Sequence, residues 1–315
     1  MPRWFLYSLV TMLLWGGWGV VSKPLSTTLS PWQVQSLSTI GVLPVLIVLA
    51  ARRFRISDFG LRIWRRDGFE TRPYSSNLGR GFWQAFAAGV ISSAGNVACY
   101  QALATGGKAA AVMPLTSLYP LVTIVLAMAL LRERLNTVQW GGIGASFGAL
   151  YFFSVGKDSG WISPWLIVAL VPIALWGISG FLQKLATRRA SNELVTFAFL
   201  LGFIPVAIVL PALRPFVWDL SGVTWLWLFL LGLFYALGNF TLIIAYGAGG
   251  RASVVTPMTS LYSLVTIPLA MLLLHEHVSG REGIGIVLAL LAVVALSRET
   301  PAEPGEALAD TDTRH

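Results

Sequence analysis

The chain is a series of apolar runs parted by short polar or basic segments. The runs fall at roughly 4–22, 32–50, 81–104, 109–131, 138–155, 164–186, 193–213, 223–246, 253–274 and 281–297. Each approaches the ~20 apolar residues that a helix needs to cross the hydrocarbon core of a bilayer. With no water in that layer, backbone polar groups must be bonded within the segment itself or around a closed barrel. The runs do not alternate apolar with polar positions, as barrel strands would. The pattern predicts an all-α integral membrane protein with ten transmembrane helices. The first run is long for a signal-peptide core and no small-x-small cleavage site follows it, so it is expected to stay as the first membrane helix.

Composition strengthens this picture. Hydrophobic residues make up 56% of the 315 residues and charged residues 11%, against the roughly 25% charge of an average soluble domain. The formal net charge of +8 does not imply nucleic acid, because the basic residues sit mainly between apolar runs, where they act as orientation signals. Eight arginines lie between Arg52 and Arg80, which makes the segment 51–80 cytoplasmic. With ten helices, both termini are then cytoplasmic. The inside segments collect 15 Lys and Arg against 5 outside, and the plasma (inner) membrane is the expected location. The single cysteine, Cys99, rules out an intramolecular disulfide. The tail 299–315 is rich in Pro, Glu and Asp and is expected to be disordered.

The strongest signal is internal repetition. Val112–Leu135 recurs as Val255–Val278, with eight of ten positions identical between Pro114–Thr123 and Pro257–Thr266. At the same offset of 143, Gly89, Gly95 and Asn96 pair with Gly232, Gly238 and Asn239. Earlier in the chain the offset is 161: Trp15, Gly16, Lys23, Gly41 and Pro44 pair with Trp176, Gly177, Lys184, Gly202 and Pro205. The 18-residue shift between the offsets reflects the longer basic loop of the first half. Residues 1–157 and 158–298 are thus two five-helix repeats. Because five is odd, the second repeat enters the membrane from the opposite side, which gives the inverted topology common among secondary transporters.

On these residues, with LLWGGWGVVSK (Leu13–Lys23) matched by LWGISGFLQK (Leu175–Lys184) and the Pro-x-Thr-Ser-Leu-Tyr segments, the chain resembles the EamA family of the drug/metabolite transporter superfamily. The resemblance covers all but 51–80 and the tail. It implies ten helices in two inverted halves around a central cavity, and tips Trp15 and Trp176 toward walling that cavity. It does not identify a substrate.

Candidate chemistry follows from polar residues placed at mid-depth. An unpaired amide in hydrocarbon costs roughly 2–7 kcal/mol, so Asn96 and Asn239 must face a neighbouring helix or a wet cavity. They are read as substrate-binding, with interhelical bonding as the alternative. Ser92, Asn96 and Tyr100 share one helix face at i, i+4 spacing. Thr116, Tyr119 and Thr123 form a polar stripe, repeated as Thr259, Tyr262 and Thr266. Pro114 and Pro257 precede the stripes and are expected hinges. Lys23 and Lys184 either attract an anionic group or snorkel to the interface.

Two apparent motifs lead elsewhere. Gly144-Ala-Ser146-Phe-Gly148 matches a nucleophile elbow but lies within an apolar helix without acid or His partners. Its small residues, with Gly141, are expected to form a close-packing face. His275-Glu276-His277 corresponds to Arg132-Glu133-Arg134 and reads as a charged helix end, not a metal site. No phosphate loop or dinucleotide fingerprint occurs, and acidic residues near helices, such as Glu133, Glu193, Glu276 and Glu282, sit at the ends. The expected function is secondary transport, not enzymatic catalysis. A small polar or amphipathic metabolite is moved by alternating access, with export of amino-acid-like metabolites first and uptake of sugars or other metabolites as the alternative. A non-transporting scaffold or sensor is the reading from another class. No cofactor is implied; the expected partners are a small-molecule substrate and the lipid bilayer, with a homodimer left open.

Overall fold

The computed structural model describes residues 2–58, 78–131, 135–154, 164–187, 189–248, 255, 258–296 and 298. The segment 59–77 and the tail 299–315 lie outside them. The regular structure is helical. In chain order the main helices are α1 (Arg3–Thr28), α2 (Pro31–Ser38), α3 (Leu43–Asp58), α4 (Leu78–Ala104), α5 (Ala109–Thr116), α6 (Tyr119–Leu131) and α7 (Thr137–Ser154). The second half continues with α8 (Pro164–Thr187), α9 (Asn192–Leu201), α10 (Phe203–Leu213), α11 (Gly222–Gly247), α12 (Ser263–Leu273) and α13 (Gly280–Leu296).

Among the described residues, six helices are long and apolar enough to cross a membrane: Arg3–Thr28, Pro31–Ala51, Ala109–Leu130, Pro164–Thr187, Asn192–Leu213 and Gly222–Ala245. Met258–Leu273 is a shorter apolar helix. The protein is a multi-pass membrane protein. Leu13, Ile47, Phe147 and Leu272 project from its outside, each more than half exposed. Such side chains would be a liability in water but match lipid.

Three of the six long helices are built from two pieces. A 3-10 turn, Thr39–Val42, joins α2 to α3. Ser117–Leu118 interrupt the passage from α5 to α6, and Gly202 separates α9 from α10. The same local signals recur in both halves. Ser30 caps α2 by accepting from the Gln33 N–H at 3.3 Å, and Ser191, its repeat partner, caps α9 by accepting from the Leu194 N–H at 3.3 Å. Two boundaries differ from expectation. α1 runs past residue 22, through Pro24, to Thr28. The basic segment 51–80 is helical at both ends, because α3 continues to Asp58 and α4 begins at Leu78.

Contacts between the halves are reciprocal. α1 packs along α11, and its repeat partner α8 packs along α4. Gly41 meets α11 so closely that a Cβ there would strike the Phe229 carbonyl, and Gly202 would likewise strike the Phe86 carbonyl of α4. Thr123 Oγ1 donates to the Gly177 carbonyl at 2.8 Å, and Thr266 Oγ1 to the Gly16 carbonyl at 3.0 Å. α7 packs against its own repeat partner, α13. The expected small-residue face on α7 is rotated from its sequence-based position. Gly142 and Gly148 approach α13, whereas Gly141 and Gly144 have no described atom within 4 Å of a Cβ position.

Candidate functional site

The centre of the molecule is an aromatic and amide cluster where α1, α4, α8 and α11 converge. Trp18 is buried at its middle, with ring centroids 6.1 Å from Tyr100, 5.9 Å from Trp176 and 5.9 Å from Tyr235. Its indole N–H donates to Tyr100 Oη at 3.2 Å. On the predicted face of α4, Ser92 Oγ lies 2.9 Å from Tyr235 Oη. Asn96 Oδ1 accepts from Trp176 Nε1 at 3.1 Å, and the same indole N–H reaches the Ser92 carbonyl at 3.2 Å. Gly95 makes room for that ring: a Cβ there would sit 2.6 Å from Trp176 Nε1. The edge of Trp176 faces Tyr119 at 6.4 Å between centroids.

The repeat partner of this arrangement is built from Trp15, Gly238, Asn239 and Tyr262. Trp15 packs over Gly238, and its ring lies edge-on to Tyr262 at 6.2 Å. The hydrogen bonds, however, differ. Trp15 Nε1 is buried with no partner among the described residues. Asn239 Nδ2 instead donates to the Tyr235 carbonyl at 2.8 Å, the acceptor equivalent to the Ser92 carbonyl. One half therefore has a closed indole–amide bond and the other an open one.

Beside the cluster is a small pocket lined by Trp18, Gln35, Ser38, Thr39, Asn96 and Tyr100, with Phe203 and Tyr235 also in its wall. Its free space is about 10 Å³, enough for about one water. No charged side chain lines it among the described residues.

The structure thus gathers Trp15, Asn96, Tyr100, Tyr119, Trp176, Asn239 and Tyr262 at or beside the centre. Thr116 and Thr259 are buried on the helices next to it, but Thr116 Oγ1 bonds back to the Met113 carbonyl at 3.2 Å. Pro114 lies inside α5, and the helix breaks three residues later at Ser117. Pro257 lies outside the described residues, as does the side chain of Lys184. Lys23 does not reach the cluster: its ammonium donates to the Leu103 and Gly107 carbonyls at 2.8 and 2.7 Å, tying α1 to the end of α4.

The charged helix end also has a structural task. The Glu276 carboxylate accepts from the Ala109 and Ala110 N–H groups at 2.8 and 2.9 Å, at the N-terminus of α5, where negative charge is favoured. Lys108 bonds both oxygens of Glu282 at 2.8 and 2.9 Å. Among the described residues no group of His, Cys, Asp and Glu could hold a metal ion.

Sequence reasoning missed Trp18, Gln35, Ser38, Thr39 and Tyr235. Selecting residues by repetition passes over them, because at the same offsets their counterparts are Ser179, Thr196, Phe199, Leu200 and Ser92. The available signal was helical spacing: Trp18 is three residues from Trp15, on the same side of α1.

The model of the EamA-like transporter family matches residues 2–155 and, a second time, residues 163–298. The chain belongs to the EamA-like transporter family. EamA-like proteins form part of the drug/metabolite transporter superfamily and are membrane transporters, not enzymes. This EamA chain also matches 23 chains of solved structures. One, described only as a protein, has 18% identity and a TM-score of 0.61, covering 94% of this chain and 97% of that one. At that identity the likeness concerns the fold alone. No curated protein matches.

Proposed function

We propose that this EamA-like protein is a secondary transporter that moves a small polar or amphipathic metabolite by alternating access, with the central cluster as its substrate site. On this reading the chain crosses the membrane ten times, as two inverted halves of five helices. It lies in the plasma (inner) membrane with both termini cytoplasmic. The observation that carries the proposal is the reciprocal packing of the halves. Trp176 on Tyr119 and Trp15 on Tyr262 are two copies of one contact, but among the described residues only one copy has its indole N–H bonded. Two nearly equivalent arrangements that can exchange are what alternating access requires.

Asn96 and Asn239 hydrogen-bond the solute in turn, Tyr119 and Tyr262 line or gate its path, and Trp15 and Trp176 wall it. Pro114, three residues before a helix break, and its repeat partner Pro257 act as hinges that let the walls move. Amino-acid-like metabolites leaving the cell are the first class to test, and sugars entering it the second.

The test is untargeted metabolite profiling of cells and medium, comparing overexpressed protein with Asn96→Ala/Asn239→Ala at matched membrane levels. A solute redistributed only by the unaltered protein is the expected result, and it names the class and direction. Equal redistribution by both would remove the amides from the path. No redistribution by either across several hosts would favour a scaffold or sensor.

A further inference from the structure

The cavity beside the cluster does not follow the repeat. Its polar wall comes from one end of α2 and the 3-10 turn after it, through Gln35, Ser38 and Thr39. The corresponding residues of the second half are Thr196, Phe199 and Leu200, and Val42 corresponds to Phe203. The second half therefore keeps a hydroxyl at Thr196 but has no amide there, and replaces Ser38 and Thr39 with the apolar Phe199 and Leu200. Packing alone gives no reason for this difference, since both halves make the same glycine crossing, Gly41 on α11 and Gly202 on α4.

Gln35 is the unusual residue in that wall. It is 2% exposed, and its Oε1 has no hydrogen-bond partner among the described residues. Leaving a buried amide oxygen unpaired costs about 1–3 kcal/mol, so such a group is expected to have a partner in a working state. Its neighbour Ser36 spends its hydroxyl on the Ala207 carbonyl at 2.6 Å, and Gln33 donates its amide to the Val217 carbonyl. Those two fix α2 in place and leave Gln35 facing the cavity.

We propose that Gln35 is a specificity-determining residue for an uncharged solute: its amide oxygen accepts from a hydroxyl or amide donor of a solute held among Trp18, Tyr100 and Tyr235 when the helices part wider than here, where the free space is about 10 Å³. Two observations set the class. The unpaired group is an acceptor, so the ligand brings a donor. The lining holds aromatic rings, hydroxyls and amides but no charged side chain among the described residues, and a buried charge without a counter-charge is strongly disfavoured. Neutral hydroxylated or amide-bearing solutes therefore rank ahead of zwitterions, carboxylates and ammonium compounds, which moves sugar-like solutes ahead of the amino-acid-like class named first above. This rests on the reading of the central cluster as the substrate site.

The test uses four probes that share one ring: nicotinamide, its N,N-diethyl derivative without a donor, the anion nicotinate and the cation 1-methylnicotinamide. Thermal unfolding of the full chain in detergent is followed with each at millimolar concentration. Nicotinamide is expected to raise the unfolding temperature more than the other three. Gln35→Leu is expected to remove the preference, and Gln35→Glu to transfer it to the cation. The conservative change Gln35→Asn keeps an amide acceptor and serves as the check that the fold survives substitution. Equal or greater stabilisation by the charged probes, no stabilisation by any, or a nicotinamide effect that survives Gln35→Leu would overturn the assignment. If a charged probe stabilises and Asn96→Ala abolishes it, the transporter reading stands and only the neutral class falls.

Discussion

Ser92 Oγ and Tyr235 Oη lie 2.9 Å apart in space and 143 residues apart in the chain, and 143 is the offset that relates the two halves. The two residues are repeat partners bonded to each other, so the axis exchanging the halves passes between α4 and α11 at this contact. A pair at this position is shared by both halves.

Removing that bond should affect both halves. Tyr235→Phe is expected to lower stability by about 0.6–2 kcal/mol, the range for one hydrogen bond inside a membrane protein. In a double-mutant cycle, Ser92→Ala with Tyr235→Phe should cost less than the two single changes together, with a coupling of about 0.5 kcal/mol or more. Unfolding in detergent measures it; strict additivity would mean that the bond is not formed.

The two indoles should respond unequally. Trp176→Phe strips the donor that serves Asn96 Oδ1 and the Ser92 carbonyl, whereas Trp15 Nε1 has no partner to lose among the described residues. Trp176→Phe is therefore expected to destabilise by about 1 kcal/mol or more beyond Trp15→Phe. Equal losses in thermal unfolding would show that the halves are equivalent in solution.

Glycine substitutions should separate crossings from lipid-facing positions. Gly202→Ala places a Cβ against the backbone of α4, where nothing flexible can give way, while Gly144→Ala meets no described atom within 4 Å. The first should largely abolish folded protein, as overpacking by even one group costs about 1–3 kcal/mol. The second should be neutral or stabilising. Fluorescence-detected gel filtration of the two variants decides this.

Glu276→Gln should weaken the N-terminus of α5, because the carboxylate there accepts from two N–H groups. A loss of about 0.5–2 kcal/mol is expected, with the selectivity of transport unchanged. Lys23→Met should behave alike, since Lys23 bonds carbonyls at the end of α4. A changed solute preference in Lys23→Met would return Lys23 to the substrate path.

The apolar runs determined that this chain lives in a membrane as helices, because hydrocarbon leaves the backbone only helices or a closed barrel to satisfy its polar groups, and the runs lack the alternation of barrel strands. The repeat of Gly41, Gly89, Gly202 and Gly232 carried the close crossings, because only a missing Cβ allows backbones to meet there. Asn96 and Asn239 were legible for the same reason: a polar group at mid-depth needs a partner. Which partner each one takes was decided by tertiary structure alone. Equivalent residues in a repeat have the same chemistry, yet Asn96 accepts from an indole while Asn239 donates to a carbonyl, and only the relative placement of two halves in one state selects between these. Gln35 and Tyr235 reach the centre through helices from different parts of the chain, and a contact between distant segments leaves no periodic mark in either of them.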